Sequence, residues 1–245
     1  MKDLIFEGIP AEAAKKLGPF FEAIVGGCPE RVHSLYVTGS AVALDFTEKT
    51  SDVNSLIILN DMHFDFFRFL VSIGKKFRSG GISSPLVMTP AYIEESLDVF
   101  PMEFLELKLV HKTAYGADIL KDIVIDRGLL RLQCEREIKS RLLGLWQGYL
   151  SSLGEADAIS SLLSRSIKGC IPLFRSIIFL MGGTPPLRKL DVLDSFCGST
   201  KADKDVLVKA LMLRERRGKA GDEVLSLFER YYANLDTVSG IVNAL

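Results

Sequence analysis

The spacing of apolar and polar residues changes about halfway along the chain. In the first part, short apolar runs lie between segments with helical spacing, which predicts both strands and helices. After Arg127, apolar residues such as Leu142 and Leu145 recur only at helical spacing. We therefore expect an α/β (α+β) domain over residues 1–126, followed by an all-α helical bundle over residues 127–245.

The first half is predicted to contain three helices, one shorter helix and four strands. Apolar residues three or four positions apart indicate the helices, and Gly26-Gly27 ends the first of them. In strands, side chains two apart share a face, and such alternation predicts a strand at 100–109. In order, we expect a helix at 10–25, a strand at 31–37, a short helix at 41–46, strands at 52–59 and 84–88 on either side of a helix at 64–74, a helix from Pro90, and the strand at 100–109.

The second half is predicted to consist of antiparallel helices joined by short breaks. A long amphipathic helix ends near Gly154, and a second covers Ala156–Met181 with a break near Pro172. Gly182 and Gly183, followed by two prolines, end this segment. Further helices are expected around 187–196, 202–217 and 221–235.

Composition narrows the classes of function. The chain is 48% hydrophobic and 25% charged, and its formal net charge is −1. It therefore lacks the excess of basic residues that would favour a nucleic-acid partner. The four cysteines form no CxxC pair, which favours reduced thiols. The N-terminus lacks the apolar region of a signal peptide, and the run Ile171–Met181 is too short to span a bilayer. We expect a cytoplasmic protein with no membrane partner.

The stretch Ser34–Asn60 contains the residues with the clearest chemistry. An apolar run ends at Gly39-Ser40, and residues 41–51 lead to Asp52-Val53-Asn54 at the start of the next apolar run. Glycine lets a backbone approach a phosphate closely, and the side chains of residues 52 and 54 share one strand face. Their carboxylate and amide oxygens suit Mg²⁺. The alternative is a helix-capping serine at an ordinary strand–helix turn.

This order of strand, Gly-Ser, gap and strand-borne acid resembles the signature of the nucleotidyltransferase superfamily, which has the DNA polymerase β-like fold. The resemblance implies a mixed sheet and Mg²⁺-dependent transfer of a nucleoside monophosphate from ATP or another NTP. It also implies that Gly39, Ser40 and Asn54 contact the nucleotide, and that Asp52 is catalytic and holds Mg²⁺ together with Asn54. The family carries a second acid where this chain has Asn54.

A second stretch is similar to the aminoglycoside-modifying type within that superfamily. Glu103-Phe-Leu-Glu106 matches its acid-apolar-apolar-acid form, and Ala114–Leu120 matches its Leu-Tyr-Gly-x-Asp-x-Leu segment. The resemblance implies that Glu103 is a further metal ligand or the base, and that a C-terminal helical bundle supplies half of the acceptor pocket. The alternatives are that Glu103 is an exposed strand-edge residue and that Asp118 caps a helix at 119–122. His111 is a further residue that could reach the site.

Asn54 leaves more than one function open. The first is an active transferase that joins NMP to an unidentified small-molecule or protein acceptor, with Asn54 as a neutral ligand and Asp52 and Glu103 providing the charge. Asp45, Asp61 or Asp65 could then replace the missing acid. The second is a catalytically degenerate relative that binds nucleotide or a partner without turnover. The third is a structural or antitoxin-like partner protein that uses only the fold.

Overall fold

The protein combines one mixed sheet with a large helical region. The computed structural model describes residues 4–48, 51–78, 80–213 and 221–245. These residues form four strands in a single sheet and nine α-helices, five of which follow the last strand. The predicted fold class, a mixed-sheet α/β domain followed by helices, is therefore confirmed. The predicted helical residues 214–217 lie outside the described ranges.

The four strands lie in the order β3-β2-β1-β4. β1 pairs with β2 and with β4 in antiparallel fashion, whereas β2 and β3 are parallel. Their bounds are Val32–Thr38 (β1), Asn54–Leu59 (β2), Leu86–Met88 (β3) and His111–Gly116 (β4).

The helices differ strongly in length. The longest are α5 and α6, both well above the average of about 11–12 residues for globular proteins. The bounds are Ala11–Gly27 (α1), Phe64–Arg78 (α2), Pro90–Ser96 (α3), Pro101–Leu109 (α4), Arg127–Ser152 (α5), Ala156–Leu180 (α6), Lys189–Thr200 (α7), Lys204–Met212 (α8) and Gly221–Ala244 (α9).

The chain forms two compact units. The first contains residues up to 99 together with 107–124, and the second contains residues 100–106 together with 125–245. The first unit therefore holds the whole sheet, whereas most of α4 and all of α5–α9 belong to the second.

The centre of the first unit is the pair β1 and β2, which is buried on both faces. Leu35, Tyr36 and Val37 of β1 have no exposed surface, and every residue of β2 after Asn54 is buried. α1 packs against β1 and α2, with Leu17 fully buried. Strands covered on both faces are continuously apolar, which is why both runs were recognisable in the sequence.

The second unit is built around α6. This helix packs against α5, α7, α8 and α9, and its Phe174 stacks on Phe196 of α7 with the ring centroids 4.1 Å apart. The predicted break near Pro172 is wrong because α6 continues through it. Proline removes one helical hydrogen bond, but the helices packed around α6 hold this segment in place. No helix in the described part of the chain is both long and apolar enough to cross a bilayer.

The segment Pro101–Leu109 is a helix, so the predicted strand at 100–109 is wrong. Proline is favoured in the first turn of a helix, and the leucines, glutamates, methionine and lysine that follow are strong helix formers. Residues three apart lie on one side of a helix, so Glu103 and Glu106 are neighbours instead of facing opposite sides of a strand. The strand in this region is β4, which begins at His111 and was not predicted.

Candidate functional site

The first part of the site lies where β1 ends between its two neighbours. Thr38, the last residue of β1, pairs with Asn54 of β2 on one side and with His111 of β4 on the other. Gly39 follows with φ at +69°, a conformation that L side chains rarely adopt. A β-carbon on Gly39 would lie only 2.8 Å from Asn54 Nδ2. The positive φ favours glycine at this position, and its missing side chain leaves room for the amide of Asn54.

Ser40 lies in a single 3₁₀ turn, Gly39–Ala41, and the predicted helix at 41–46 is wrong. Gly39 O accepts the backbone N–H groups of Val42 and Ala43, and the chain then turns away. The next residue, Leu44, has φ at +59°, which is incompatible with a continuing helix. Ser40 is half-buried and lies inside this turn, whose N-cap position is Thr38.

Asp52 and Asn54 are both exposed, whereas Val53 and Ser55 between and after them are buried. Val53 is held in a bridge with the segment beyond α2: its N–H donates to Gly81 O at 2.9 Å, and its carbonyl accepts from Ser83 N at 3.1 Å. The extended backbone therefore turns Asp52 and Asn54 toward the same side.

Lys16 of α1 is a cation that the sequence pattern did not connect with this site. Its Nζ atom lies 3.2 Å from the position that a β-carbon on Gly81 would occupy, and Asp52 Oδ1 lies 3.8 Å from the same point. The two charged groups are thus neighbours over Gly81, although they do not form a direct ion pair. Their proximity depends on how α1 packs on the sheet, which no local sequence signal reports.

His111 is tied to the loop after β4. Its Nδ1 lies 2.7 Å from Leu107 O, and its Nε2 lies 3.1 Å from Asp118 Oδ1. The two ring nitrogens of His111 thus contact a backbone carbonyl on one side and a carboxyl group on the other. Asp118 also accepts from Lys121 N in a turn, and residues 119–122 form no helix. His111 is thus held in a structural contact.

Tyr36 connects β1 to the same loop. Its hydroxyl donates to Ala117 O at 2.7 Å, accepts from Ile119 N at 3.1 Å and accepts from Ser34 Oγ at 3.0 Å. Burial raises the pKa of this hydroxyl, so it stays protonated and able to donate at neutral pH. The ring also meets that of His111 edge-on, with the centroids 5.5 Å apart.

Tyr36→Phe is expected to lower the free energy of unfolding by about 1–3 kcal/mol, because it removes the hydrogen-bond partner of the buried Ser34 hydroxyl and of two backbone groups in the loop. Urea denaturation followed by circular dichroism measures this change. Tyr92→Phe is the matched control, because Tyr92 is largely exposed, and its stability should stay within about 0.5 kcal/mol. Equal, small effects of both substitutions would show that the hydroxyl of Tyr36 does not hold the loop.

Glu103 lies in the second unit, whereas Gly39, Ser40, Asp52 and Asn54 lie in the first. It is exposed on α4, and its Oε2 accepts from Gln133 Nε2 of α5 at 2.7 Å. Gln133 Oε1 in turn accepts from Met102 N at 2.8 Å, which fixes the amide between the two helices. Whether Glu103 acts with Asp52 stays a prediction.

Two of the acids considered as replacements for the carboxylate that is absent at position 54 lie beyond the C-terminal end of β2. Asp61 and Asp65 come after Leu59, the last residue of β2, whereas Asp52 precedes the first. A strand of this length spans about 17–20 Å. Asp65 also pairs with Arg68 one turn along α2. These two acids therefore do not supply a second carboxylate beside Asp52.

Asp52 and Asn54 offer one carboxylate and one amide oxygen, which could hold one Mg²⁺ ion together with oxygen ligands from a phosphate. Mg²⁺ keeps several waters and commonly binds through one or two carboxylates plus substrate phosphates. Within the described ranges, no group of three or more His, Cys, Asp or Glu side chains could hold a metal ion. One carboxylate and one neutral amide oxygen do not make a two-metal site.

Two other features of the described residues offer different chemistry. A cavity of about 400 Å³ lies in the first unit between α1, α2 and β3, but its walls are mainly apolar and include neither Asp52 nor Asn54. Burial raises the pKa of Cys134 to about 12 and that of Cys197 to about 11, so neither thiol is ionised at neutral pH. These cysteines are unsuited to nucleophilic catalysis.

Comparisons with known proteins reveal similarity in structure but not in sequence. No protein-family model matches the chain, and no curated protein matches it in sequence. Among solved structures, the chain is similar to a spectinomycin adenyltransferase from Enterococcus faecialis, crystallised with ATP and spectinomycin. The two are 15% identical with a TM-score of 0.49, over 92% of this chain and 98% of the other.

Proposed function

We propose that this protein is a nucleotidyltransferase that binds a nucleoside triphosphate with Mg²⁺ and transfers NMP to a small-molecule or protein acceptor. The observation that carries the proposal is the close pairing of Gly39 and Asn54 beside the exposed Asp52. A left-handed glycine, a polar amide and a carboxylate lie together at the ends of two adjacent strands. The nucleotidyltransferase signature that Ser34–Asn60 resembles contains these residue types in this order.

Each of these residues has a distinct part in the proposed chemistry. The absent side chain of Gly39 lets the backbone approach a phosphate, with Ser40 next to it. Asp52 would hold Mg²⁺ with the amide oxygen of Asn54, and the ion would neutralise charge on the phosphates. We propose that residues 127–245 recognise the acceptor or partner, and that Glu103 acts as ligand or base.

Nucleotide binding without turnover is the second candidate, and Asn54 is the observation that favours it. An amide supplies no negative charge, so the metal is held more weakly than by two carboxylates. Such a protein would retain the Gly39 turn and Asp52 for binding and would lack the charge needed for efficient two-metal catalysis.

Calorimetric titration of the full chain with ATP, with and without Mg²⁺, tests the proposal. We expect Mg²⁺-dependent binding, followed by transfer of label from α-labelled ATP to an acceptor in a screen of small molecules and proteins. Binding without transfer to any acceptor would favour the second candidate. Absence of binding at millimolar nucleotide would overturn both.

Asn54→Asp is expected to strengthen binding of ATP with Mg²⁺ by about tenfold, because a second carboxylate raises the negative charge around the ion. Calorimetry at fixed Mg²⁺ measures this change. Asn60→Asp is the control, because it adds the same charge just beyond the opposite end of β2 and should leave the affinity unchanged. An unchanged affinity in Asn54→Asp would show that residue 54 does not face the metal.

A further inference from the structure

Lys16 is held at the site by the packing of α1. Ala13, Leu17 and Phe20 are buried on the inner face of this helix, so its position on the sheet is fixed. Lys16 is half-buried at the edge of that face, whereas its neighbour Lys15 is exposed. A lysine at such an edge extends its stem along apolar surface and presents its ammonium group at the tip.

The ammonium group of Lys16 retains its capacity to donate hydrogen bonds. It lies over the ring of Phe46, 5.8 Å from the centroid, at the outer limit of a cation–π contact. Among the described residues it has no ion pair, and it approaches Asp52 only across Gly81. Gly81 has φ at +77°, and a side chain there would meet Lys16 Nζ, so the glycine keeps the space beside the ammonium group open.

The charges around Asp52 differ from those of a two-metal site in two ways. Asn54 removes one negative charge, and Lys16 adds one positive charge. Both changes weaken the attraction for a second divalent cation and strengthen the attraction for an anion. A nucleoside triphosphate carries the anionic groups that such a site lacks, and a lysine ammonium is a common point-charge ligand for phosphate.

We propose that Lys16 binds the polyphosphate of the nucleotide and takes the charge-neutralising place of a second metal ion. This inference rests on the proposed function, because it assigns a residue to the same nucleotide site. It predicts that affinity depends on the number of phosphates and that part of the ATP binding persists when Mg²⁺ is removed.

Titration of ATP and AMP into full-length wild type, Lys16→Met, Lys16→Arg and Lys15→Met tests the inference, each with Mg²⁺ and with EDTA. Methionine keeps the apolar stem of lysine, so the fold should be retained, and circular dichroism checks this. We expect Lys16→Met to weaken ATP binding about tenfold to a hundredfold, to weaken AMP binding much less, and to lose the binding that wild type retains in EDTA. Lys16→Arg should keep most of the affinity, and Lys15→Met should match wild type.

The outcomes separate this inference from the function on which it rests. If wild type binds ATP and Lys16→Met binds it equally well, the role of Lys16 is overturned while the nucleotide site stands. An equal loss in Lys15→Met would show a nonspecific effect of helix charge and would also overturn it. If wild type binds no ATP under any condition, the proposed function fails, and the inference fails with it.

Discussion

Replacing Asp52 with alanine is expected to weaken Mg²⁺-dependent ATP binding by more than about a hundredfold and to abolish NMP transfer. Loss of a residue that only supports a metal ligand costs about 10- to 100-fold in metal affinity, so loss of the ligand itself costs more. Asn54 beside it offers a neutral oxygen, and Asp61 and Asp65 lie beyond the far end of β2. No compensation from these residues is therefore expected.

Calorimetry with and without Mg²⁺, together with transfer of label from α-labelled ATP, measures the effect of Asp52→Ala. Asp61→Ala is the control, because it removes an exposed carboxylate just beyond the opposite end of β2 without touching the site. Asp52 is exposed, so its loss should leave stability nearly unchanged. An Asp52→Ala variant that transfers as well as wild type would place the active site elsewhere.

Arg175→Met is expected to lower the free energy of unfolding by about 3–5 kcal/mol. Arg175 is 2% exposed and lies in the C-terminal part of α6. Its Nη1 donates to Glu106 Oε1 at 2.6 Å, its Nε donates to Pro186 O at 3.0 Å, and its other terminal nitrogen donates to Leu187 O. Removing the guanidinium leaves a carboxylate and two carbonyls without their donor. The loss of stability is large because the remaining charge stays buried without a partner.

The pH dependence of this loss follows from Glu106. Burial raises the pKa of its carboxyl, and the charge of Arg175 opposes that rise. In Arg175→Met the opposing charge is gone, so the pKa in the folded state rises further above its unfolded value. A group with a raised folded pKa favours the folded state in acid, and that contribution is lost as the pH rises through the folded pKa. The stability deficit should therefore be smaller at about pH 5 than at about pH 8.

Urea denaturation of the full chain at both pH values measures the deficit. Arg230→Met is the control, because it breaks the exposed pair of Arg230 with Asp203 and should cost less than about 1 kcal/mol. Glu106→Gln combined with Arg175→Met should recover part of the stability by removing the unpaired charge. Equal losses in Arg175→Met and Arg230→Met would contradict the proposed cost of burial.

The buried strands β1 and β2 could be predicted from the sequence, whereas the helix α4 could not. Continuous apolar runs at β1 and β2 leave little choice of structure, because both faces are covered. At Pro101–Leu109, apolar residues match both a period of two and a helical period, so alternation alone does not distinguish a strand from a helix. The position of Pro101 and the helix-forming residues after it were the better signal.

The site could be predicted only as far as local geometry determines it. Strand alternation is enough to expect Asp52 and Asn54 on one side, and Gly39 is recognisable as a turn glycine. That Lys16 and Asp52 lie close together depends on tertiary packing between α1 and the segment at Gly81. Arg175 is a lone charge in the apolar run Ile171–Met181, but its partner Glu106 is distant in sequence.

The order β3-β2-β1-β4 has a consequence for how the protein behaves at high concentration. An exposed, long strand edge is a template on which another chain can add a strand and begin to aggregate. Here one edge is β3, which has three residues and follows directly after Pro85. At the other edge, Ala114 O of β4 already accepts from Ile5 N at 2.9 Å. One edge strand, β3, is thus short, and the other, β4, is partly covered. Both features resist edge-to-edge aggregation and favour colloidal stability.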